Sequence, residues 1–75
     1  MTDEMLGIAS LALSVSEETA RKNSYEIPGT DMVYFWSSAR GGKNVIVNAA
    51  GEKLVAGSAI GFNNHLEAFQ NGKRN

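Results

Sequence analysis

The sequence contains no cysteine, and it has one histidine and one proline among its 75 residues. The lack of cysteine excludes disulfides and zinc sites built from thiolates, because both require sulfur. A lone histidine, His65, would leave a zinc site to be assembled mostly from carboxylates, so we expect neither a metal nor a cofactor. A chain this short must therefore gain its stability from close packing or from association with another subunit.

Neither sign of charge is in excess, and no apolar run is long. Seven basic and eight acidic residues give a net charge of −1, which offers no general attraction for nucleic acid or anionic lipid. The apolar stretch over residues 5–15 follows acidic residues and is shorter than the ~18 residues that span a bilayer. These features, and the absence of an Asn-x-Ser/Thr sequon, predict a cytoplasmic protein with no membrane partner. The length predicts a single domain over residues 1–75.

A helix is predicted over residues 2–22, with Thr2 as its N-cap. Its polar residues recur three or four positions apart and so form one continuous helical stripe: Asp3, Gly7, Ser10, Ser14, Glu17 and Arg21. The remaining apolar face is wide, as in helices that lie across a sheet. Ser14-x-x-Glu17 is also a capping-box pattern that would restart the helix, but we favour one bent helix.

Three strand patterns follow the helix. Residues 32–38 hold three consecutive aromatic residues, and alternation places Tyr34 and Trp36 on the face opposite Phe35. Residues 44–48 and 53–60 are the next two strands, joined by a hairpin with Gly51 in the left-handed position.

The remaining segments connect or close the fold. Residues 23–31 contain the Pro28-Gly29 turn and form either a plain connection or a short strand over residues 25–27. A last helix begins at a cap on Asn63 or Asn64 and ends at Gly72. The predicted fold is α+β, in the order α-β-β-β-α, with a three-stranded antiparallel sheet and two helices packed on one face.

No pattern of catalytic residues emerges. His65 has no serine or acid partner marked by spacing, and we expect it to be a half-exposed helix residue. The Gly42-Lys43 pair resembles a phosphate-binding loop, but the earlier glycine and the following hydroxyl residue are missing, so a hairpin turn is favoured. The sequence therefore predicts a protein that is not an enzyme.

A protein-binding surface is predicted on the sheet face that the helices leave open. Large apolar side chains would be exposed there together: Met32, Tyr34, Trp36 and Ile46. Exposed tryptophan and tyrosine are common anchors of protein interfaces, and burying such a patch in a homo-oligomer would also stabilise a small domain. In the alternative interpretation, residues 23–31 fold over this face and hide it with Tyr25 and Ile27.

A nucleic-acid-binding domain is the alternative function. The helix–three strands–helix order is similar to that of double-stranded RNA-binding domains, and Arg40 and Lys43 would then contact phosphates beside the aromatic strand. The start of the last helix, however, carries Asn63, Asn64 and His65 where those domains have lysines. We therefore rank a protein partner above nucleic acid.

Residues 32–70 also resemble the small bacterial YrhB-type immunity domains. The likeness consists of an aromatic strand (MVYFWSS), an aliphatic strand and turn (NVIVNAAG), and a glycine-containing strand (VAGS) before a closing helix. The insert that such domains carry between the first two strands is here a Gly-Gly turn. The resemblance implies an immunity-type or regulatory protein that acts by binding another protein.

Overall fold

The computed structural model describes residues 1–37 and 42–75, and it has the α+β architecture that the sequence predicts. The elements, in chain order, are α1 (Asp3–Leu13), α2 (Glu17–Lys22), β1 (Ser24–Glu26), β2 (Val33–Trp36), β3 (Lys43–Val47), β4 (Lys53–Gly57) and α3 (Phe62–Gln70). Within the described residues the strands form one antiparallel sheet in the order β1-β2-β3-β4. The sheet thus has four described strands and not three, because the segment before Pro28 pairs with β2 as an edge strand.

The single helix predicted over residues 2–22 is wrong, because the chain leaves the helix at Ser14. Ser14 has a left-handed backbone, with φ 56°. The amides of Ser14 and Val15 donate hydrogen bonds to the carbonyls of Leu11 and Ser10, respectively, as in a Schellman motif. This motif satisfies the last carbonyl groups of α1 and turns the chain toward α2.

Hydroxyl groups cap the starts of both N-terminal helices. Thr2 Oγ1 accepts a hydrogen bond from the Met5 amide at 3.2 Å, as predicted for this N-cap. Ser16 Oγ accepts one from the Thr19 amide at 3.1 Å and begins α2. The helix therefore does restart, but at Ser16, two residues beyond the serine of the capping-box pattern.

α1 and α2 cover one face of the sheet, called the first face below. Its buried residues come from both helices and from the alternate positions of β2 and β3: Met5, Leu6, Ala9, Leu13, Ala20, Val33, Phe35, Val45 and Val47. Val33 pairs with Val47, and Phe35 pairs with Val45, so directly opposed residues share this face. The predicted alternation of β2 is confirmed.

α3 covers the opposite face, called the second face, so the prediction that both helices pack on one face is wrong. Met32, Ile46 and Phe69 are buried there, packed against four partly buried neighbours: Ile27, Tyr34, Leu54 and Leu66. The strands carry large apolar side chains on both faces, and burying each such side chain contributes about 1.5–3 kcal/mol. A helix on each face buries more of this surface than two helices on one.

The hairpin between β3 and β4 has the predicted geometry. Gly51 has φ +84°, and its amide donates to the Asn48 carbonyl at 3.0 Å. The Asn48 side chain accepts from the Glu52 amide at 2.9 Å, which pins the turn. The turn sets the register in which Ile46 opposes Leu54 on the second face.

Candidate functional site

Four aromatic rings meet on the second face near the start of α3, and they are called the aromatic cluster below: Tyr25, Tyr34, Trp36 and Phe62. Phe62 is the first residue of α3 and packs edge-on against Tyr34, with ring centroids 4.8 Å apart. Tyr25 of β1 contacts Phe62 from the other side at 6.1 Å, and Trp36 contacts Tyr34 at 6.1 Å. The two edge-to-face pairs, Phe62–Tyr34 and Tyr25–Phe62, add about 0.5–1.5 kcal/mol each beyond the burial of their area.

The aromatic cluster runs from the interior to the surface. Tyr34, Trp36 and Phe62 are partly buried, while Tyr25 keeps 49% of its surface exposed on the edge strand. β1 places Tyr25 directly opposite Tyr34, so the two rings lie on the same face of neighbouring strands. The result is an apolar surface of mutually contacting rings with one edge open to solvent.

The phenol of Tyr34 is anchored to the neighbouring strand. The Asn44 side-chain amide donates a hydrogen bond to Tyr34 Oη at 2.7 Å, and Asn44 itself is 7% exposed. Burial raises the pKa of Tyr34 above its usual value, and the hydrogen bond from Asn44 partly offsets this rise. Tyr34 is therefore a neutral phenol at physiological pH and holds β2 against β3.

His65 is on the side of α3 that faces the sheet and is 1% exposed, so the expectation of a half-exposed histidine is wrong. Its Nε2 is 2.7 Å from the Leu54 carbonyl oxygen. A carbonyl only accepts, so Nε2 carries the proton and donates it. The ring also packs edge-on against Tyr34 at 5.7 Å. This hydrogen bond thus links α3 to β4. The Nδ1 atom of His65 has no hydrogen-bond partner among the described residues.

The predicted binding residues do not form one exposed patch. Ile46 is fully buried and Met32 is 9% exposed, because α3 lies over both. The expectation that these two side chains are exposed is wrong, whereas Tyr34 and Trp36 do contact each other and stay partly accessible. Their role in binding stays a prediction.

The structure adds Tyr25 and Phe62 to the predicted pair of rings. Both were visible in the sequence as apolar residues of a short segment and of the last helix. Their contact with Tyr34 depends on β1 joining the sheet and on α3 crossing the second face. The sequence left a short strand over residues 25–27 as one of two alternatives, and it placed α3 on the other face, so it did not predict the aromatic cluster.

The basic residues of the alternative function are not brought beside the rings. Trp36 pairs with Asn44, so these two share the second face, and the adjacent Lys43 is directed to the first. Arg40 lies outside the described residues. The four described strands and the divided N-terminal helix also differ from the helix–three strands–helix order on which that interpretation depends.

The described residues contain neither a cluster of metal-ligating side chains nor a helix that could cross a membrane. In the ranges 1–37 and 42–75, no three histidine or acidic side chains lie close enough together to hold a metal ion. No helix in these ranges has the length and apolar character to cross a membrane. No family model matches the chain, and no curated protein or solved structure gives a significant match.

Proposed function

We propose that the protein is a small, non-enzymatic protein-binding module whose contact surface is the aromatic cluster. The observation that carries the proposal is the unbroken series of ring contacts from exposed Tyr25 through Phe62 and Tyr34 to Trp36. Tyrosine and tryptophan dominate the strong contacts of protein interfaces because they bury large areas and lose little side-chain entropy.

The contacts that fix Tyr34 within the aromatic cluster support this proposal. The Tyr34 ring is fixed by the hydrogen bond from Asn44 of β3 and by the edge-on contact with Phe62, and Trp36 packs against it. A surface that is already ordered loses less entropy when a partner binds. Binding would need no rearrangement of the sheet.

The size of the domain also fits a single-partner module. A standard interface removes about 800 Å² from each partner. This is close to a fifth of the 4456 Å² that the chain exposes. One protein partner would therefore occupy a large share of the surface around the aromatic cluster.

The resemblance of residues 32–70 to YrhB-type immunity domains favours the same class of function. Immunity proteins act by binding another protein, which requires an exposed surface and no catalytic residues. We propose such an immunity-type or regulatory role, with the partly exposed Tyr34–Trp36 pair inside the contact. A second copy of the chain is a further partner that this surface would accept.

Site-specific photocrosslinking tests the proposal. p-Benzoylphenylalanine is placed at Tyr25, which is 49% exposed, and in a matched control at Leu11, which is 83% exposed on α1. We expect a discrete crosslinked protein, or a crosslinked dimer, from position 25 and none from position 11. Binding of the purified partner should then weaken about tenfold or more in Tyr25→Ala, as for an interface hot spot, and should be unchanged in Leu11→Ala.

Two results would contradict the proposal. One is the same set of crosslinked proteins from both positions, which would indicate nonspecific contact. The other is tight quenching of Trp36 fluorescence by single-stranded or duplex RNA that weakens steeply between about 50 and 200 mM salt, because counterion release would then dominate the affinity. Sedimentation velocity on the unlabelled chain separates a dimer from a complex with another protein.

A further inference from the structure

The outer edge of β4 is occupied by residue 75 of the same chain. The Asn75 amide donates to the Lys53 carbonyl at 3.1 Å. The Asn75 side chain accepts from the Val55 amide at 2.8 Å and donates to the Val55 carbonyl at 3.0 Å. These contacts are the ones that a neighbouring β-strand would make, with the side-chain amide standing in for a peptide group.

The edge on which Asn75 sits is available to a longer strand. In the register between β3 and β4, Lys53, Val55 and Gly57 alternate with the residues that bond to β3. Their backbone groups therefore point away from the sheet, as the contacts of Asn75 confirm for the first two. Within residues 1–37 and 42–75, Asn75 pairs with two residues of an edge strand that is five residues long.

A groove runs beside this edge on the first face. It has a volume of about 400 Å³ and is lined by Ala12 of α1, by β4 and by two lysines, Lys43 and Lys53. Val55 forms an apolar floor where it packs against the core. The groove therefore combines the outward-directed backbone groups of β4, a small apolar surface and positive charge.

Both cations line the groove. Neither Lys43 nor Lys53 pairs with an aspartate or glutamate side chain within residues 1–37 and 42–75, and Lys53 Nζ donates to the main-chain oxygen of Asn75. Lys43 lies opposite Gly57, four residues along β4 from Lys53. The two charges are thus about 13 Å apart along the strand direction at ~3.3 Å per residue.

We propose that the outer edge of β4 is a docking site for an extended, acidic segment of a partner protein, which displaces residue 75 and adds a fifth strand to the sheet. Main-chain hydrogen bonds to Val55 and Lys53 would give the affinity, as in other β-strand additions. Acidic side chains four positions apart would meet Lys43 and Lys53. This surface lies on the first face and is independent of the aromatic cluster.

A second copy of the chain fits this edge less well. Antiparallel pairing of two β4 edges about Val55 would bring Lys53 of each copy opposite Gly57 of the other, and so beside the other copy's Lys43. Four lysines would then share one groove, and repulsion between these nearby like charges would oppose the pairing. Charge complementarity therefore selects an acidic segment over self-pairing.

A designed peptide tests the site on the whole chain. The probe is acetyl-Thr-Glu-Thr-Val-Thr-Glu-Thr-amide, which places two glutamates four positions apart and a valine between them on one face. We expect saturable changes in the amide NMR signals of Val55 and Gly57. Two control peptides, one with lysine in place of both glutamates and one N-methylated at its central residues, should bind at least about fivefold more weakly because they lose charge pairing and hydrogen bonds, respectively.

Variants of the chain separate docking from nonspecific attraction. Asn75→Ala should tighten peptide binding about threefold or more, since the two competing side-chain contacts with Val55 are removed. Lys43→Gln should weaken it about two- to fivefold, the range for an exposed ion pair; it is preferred to a change at Lys53, which also holds residue 75. Lys22→Gln, on α2, is the matched control and should leave the affinity unchanged.

The results that would overturn the proposal are specific. Equal binding of the N-methylated peptide would show that no strand is added, and equal effects of Lys43→Gln and Lys22→Gln would show only general electrostatic attraction. Weaker peptide binding by Asn75→Ala would mean that residue 75 does not compete for the edge. Tighter binding of a single-stranded oligonucleotide than of the acidic peptide would assign the groove to another ligand. Tyr25→Ala should not change peptide affinity, which keeps this test separate from that of the aromatic cluster.

Discussion

Replacing Phe69 by alanine should show how much the domain depends on α3 lying across the second face. Phe69 is 2% exposed and packs with Met32 and Ile46. Truncating a buried phenylalanine costs about 3–5 kcal/mol, because apolar contacts are lost and a cavity is left. The Arg74 guanidinium also lies 3.7 Å from the ring centroid, and losing this cation–π contact adds about 0.5–1 kcal/mol.

The expected loss is large in relation to the whole stability. At about 0.05–0.15 kcal/mol per residue, 75 residues give a free energy of unfolding of about 4–11 kcal/mol. In urea, a slope of about 1 kcal/mol/M would translate a loss of about 4 kcal/mol into a midpoint lower by about 4 M. Phe69→Ala should therefore lower the urea midpoint by about 4 M, as followed by circular dichroism, and at the low end of this stability range it should be unfolded without urea.

The control is Gln70→Ala, an exposed position of the same helix, which should change the free energy of unfolding by less than about 0.5 kcal/mol. Phe69→Leu keeps most of the buried volume and should lie between the two. The reasoning would be refuted if Phe69→Ala lost less than about 1 kcal/mol, since α3 would then contribute little to the fold. A double-mutant cycle of Phe69→Leu with Arg74→Gln isolates the contact between the ring and the guanidinium.

Two further predictions concern Tyr34 and the turn after α1. Because burial raises the pKa of Tyr34 above 10.0, the folded state holds this proton more tightly, and the free energy of unfolding should fall as pH rises from about 10 through the folded pKa. At neutral pH, Tyr34→Phe should lower the free energy of unfolding by about 1–3 kcal/mol, because Asn44 loses its acceptor. Above pH 10, the free energy of unfolding of this variant should fall less than that of the unmodified protein. Equal falls of the two in urea titrations would contradict this. Ser14→Gly should raise the free energy of unfolding by up to about 1 kcal/mol in thermal melts, because Ser14 has φ 56°, whereas Ser10→Gly inside α1 should lower it by about as much.

The hydrophobic patterns predicted the alternation of β2 because strand alternation is local, although β4 ends at Gly57 and not at residue 60 as predicted. Val33 and Phe35 do share one face, and Tyr34 and Trp36 share the other. Gly51 adopts the predicted left-handed turn because few other residues tolerate it. Such features depend on neighbouring residues only, and the sequence contains the relevant information within a few positions.

The errors arose where distant segments decide the structure. The polar stripe of the first helix continues through Ser14, and no glycine marks the Schellman motif there. β1 is three residues long, too short for a clear alternation, and is defined by its pairing with β2. Which face α3 covers depends on burying Ile46 and Phe69 together. Because α3 covers the second face, Met32 and Ile46 are buried and do not belong to the exposed binding patch that the sequence predicted.

The placement of the helices explains why binding should be sought at the margins of the sheet. A helix on each face buries the centres of both, including Phe35 on the first and Ile46 on the second. What stays open is the rim of the second face, where Tyr25 extends beyond α3, and the outer edge of β4, where only Asn75 pairs among the described residues. The rim of the second face presents aromatic rings, and the outer edge of β4 presents backbone groups. The two surfaces would therefore recognise different features of a partner. A single partner that binds both surfaces would have to extend from β1 to β4, the two edges of the sheet. Weaker binding of that partner by Tyr25→Ala and tighter binding by Asn75→Ala, additive in the double variant, would show that it does.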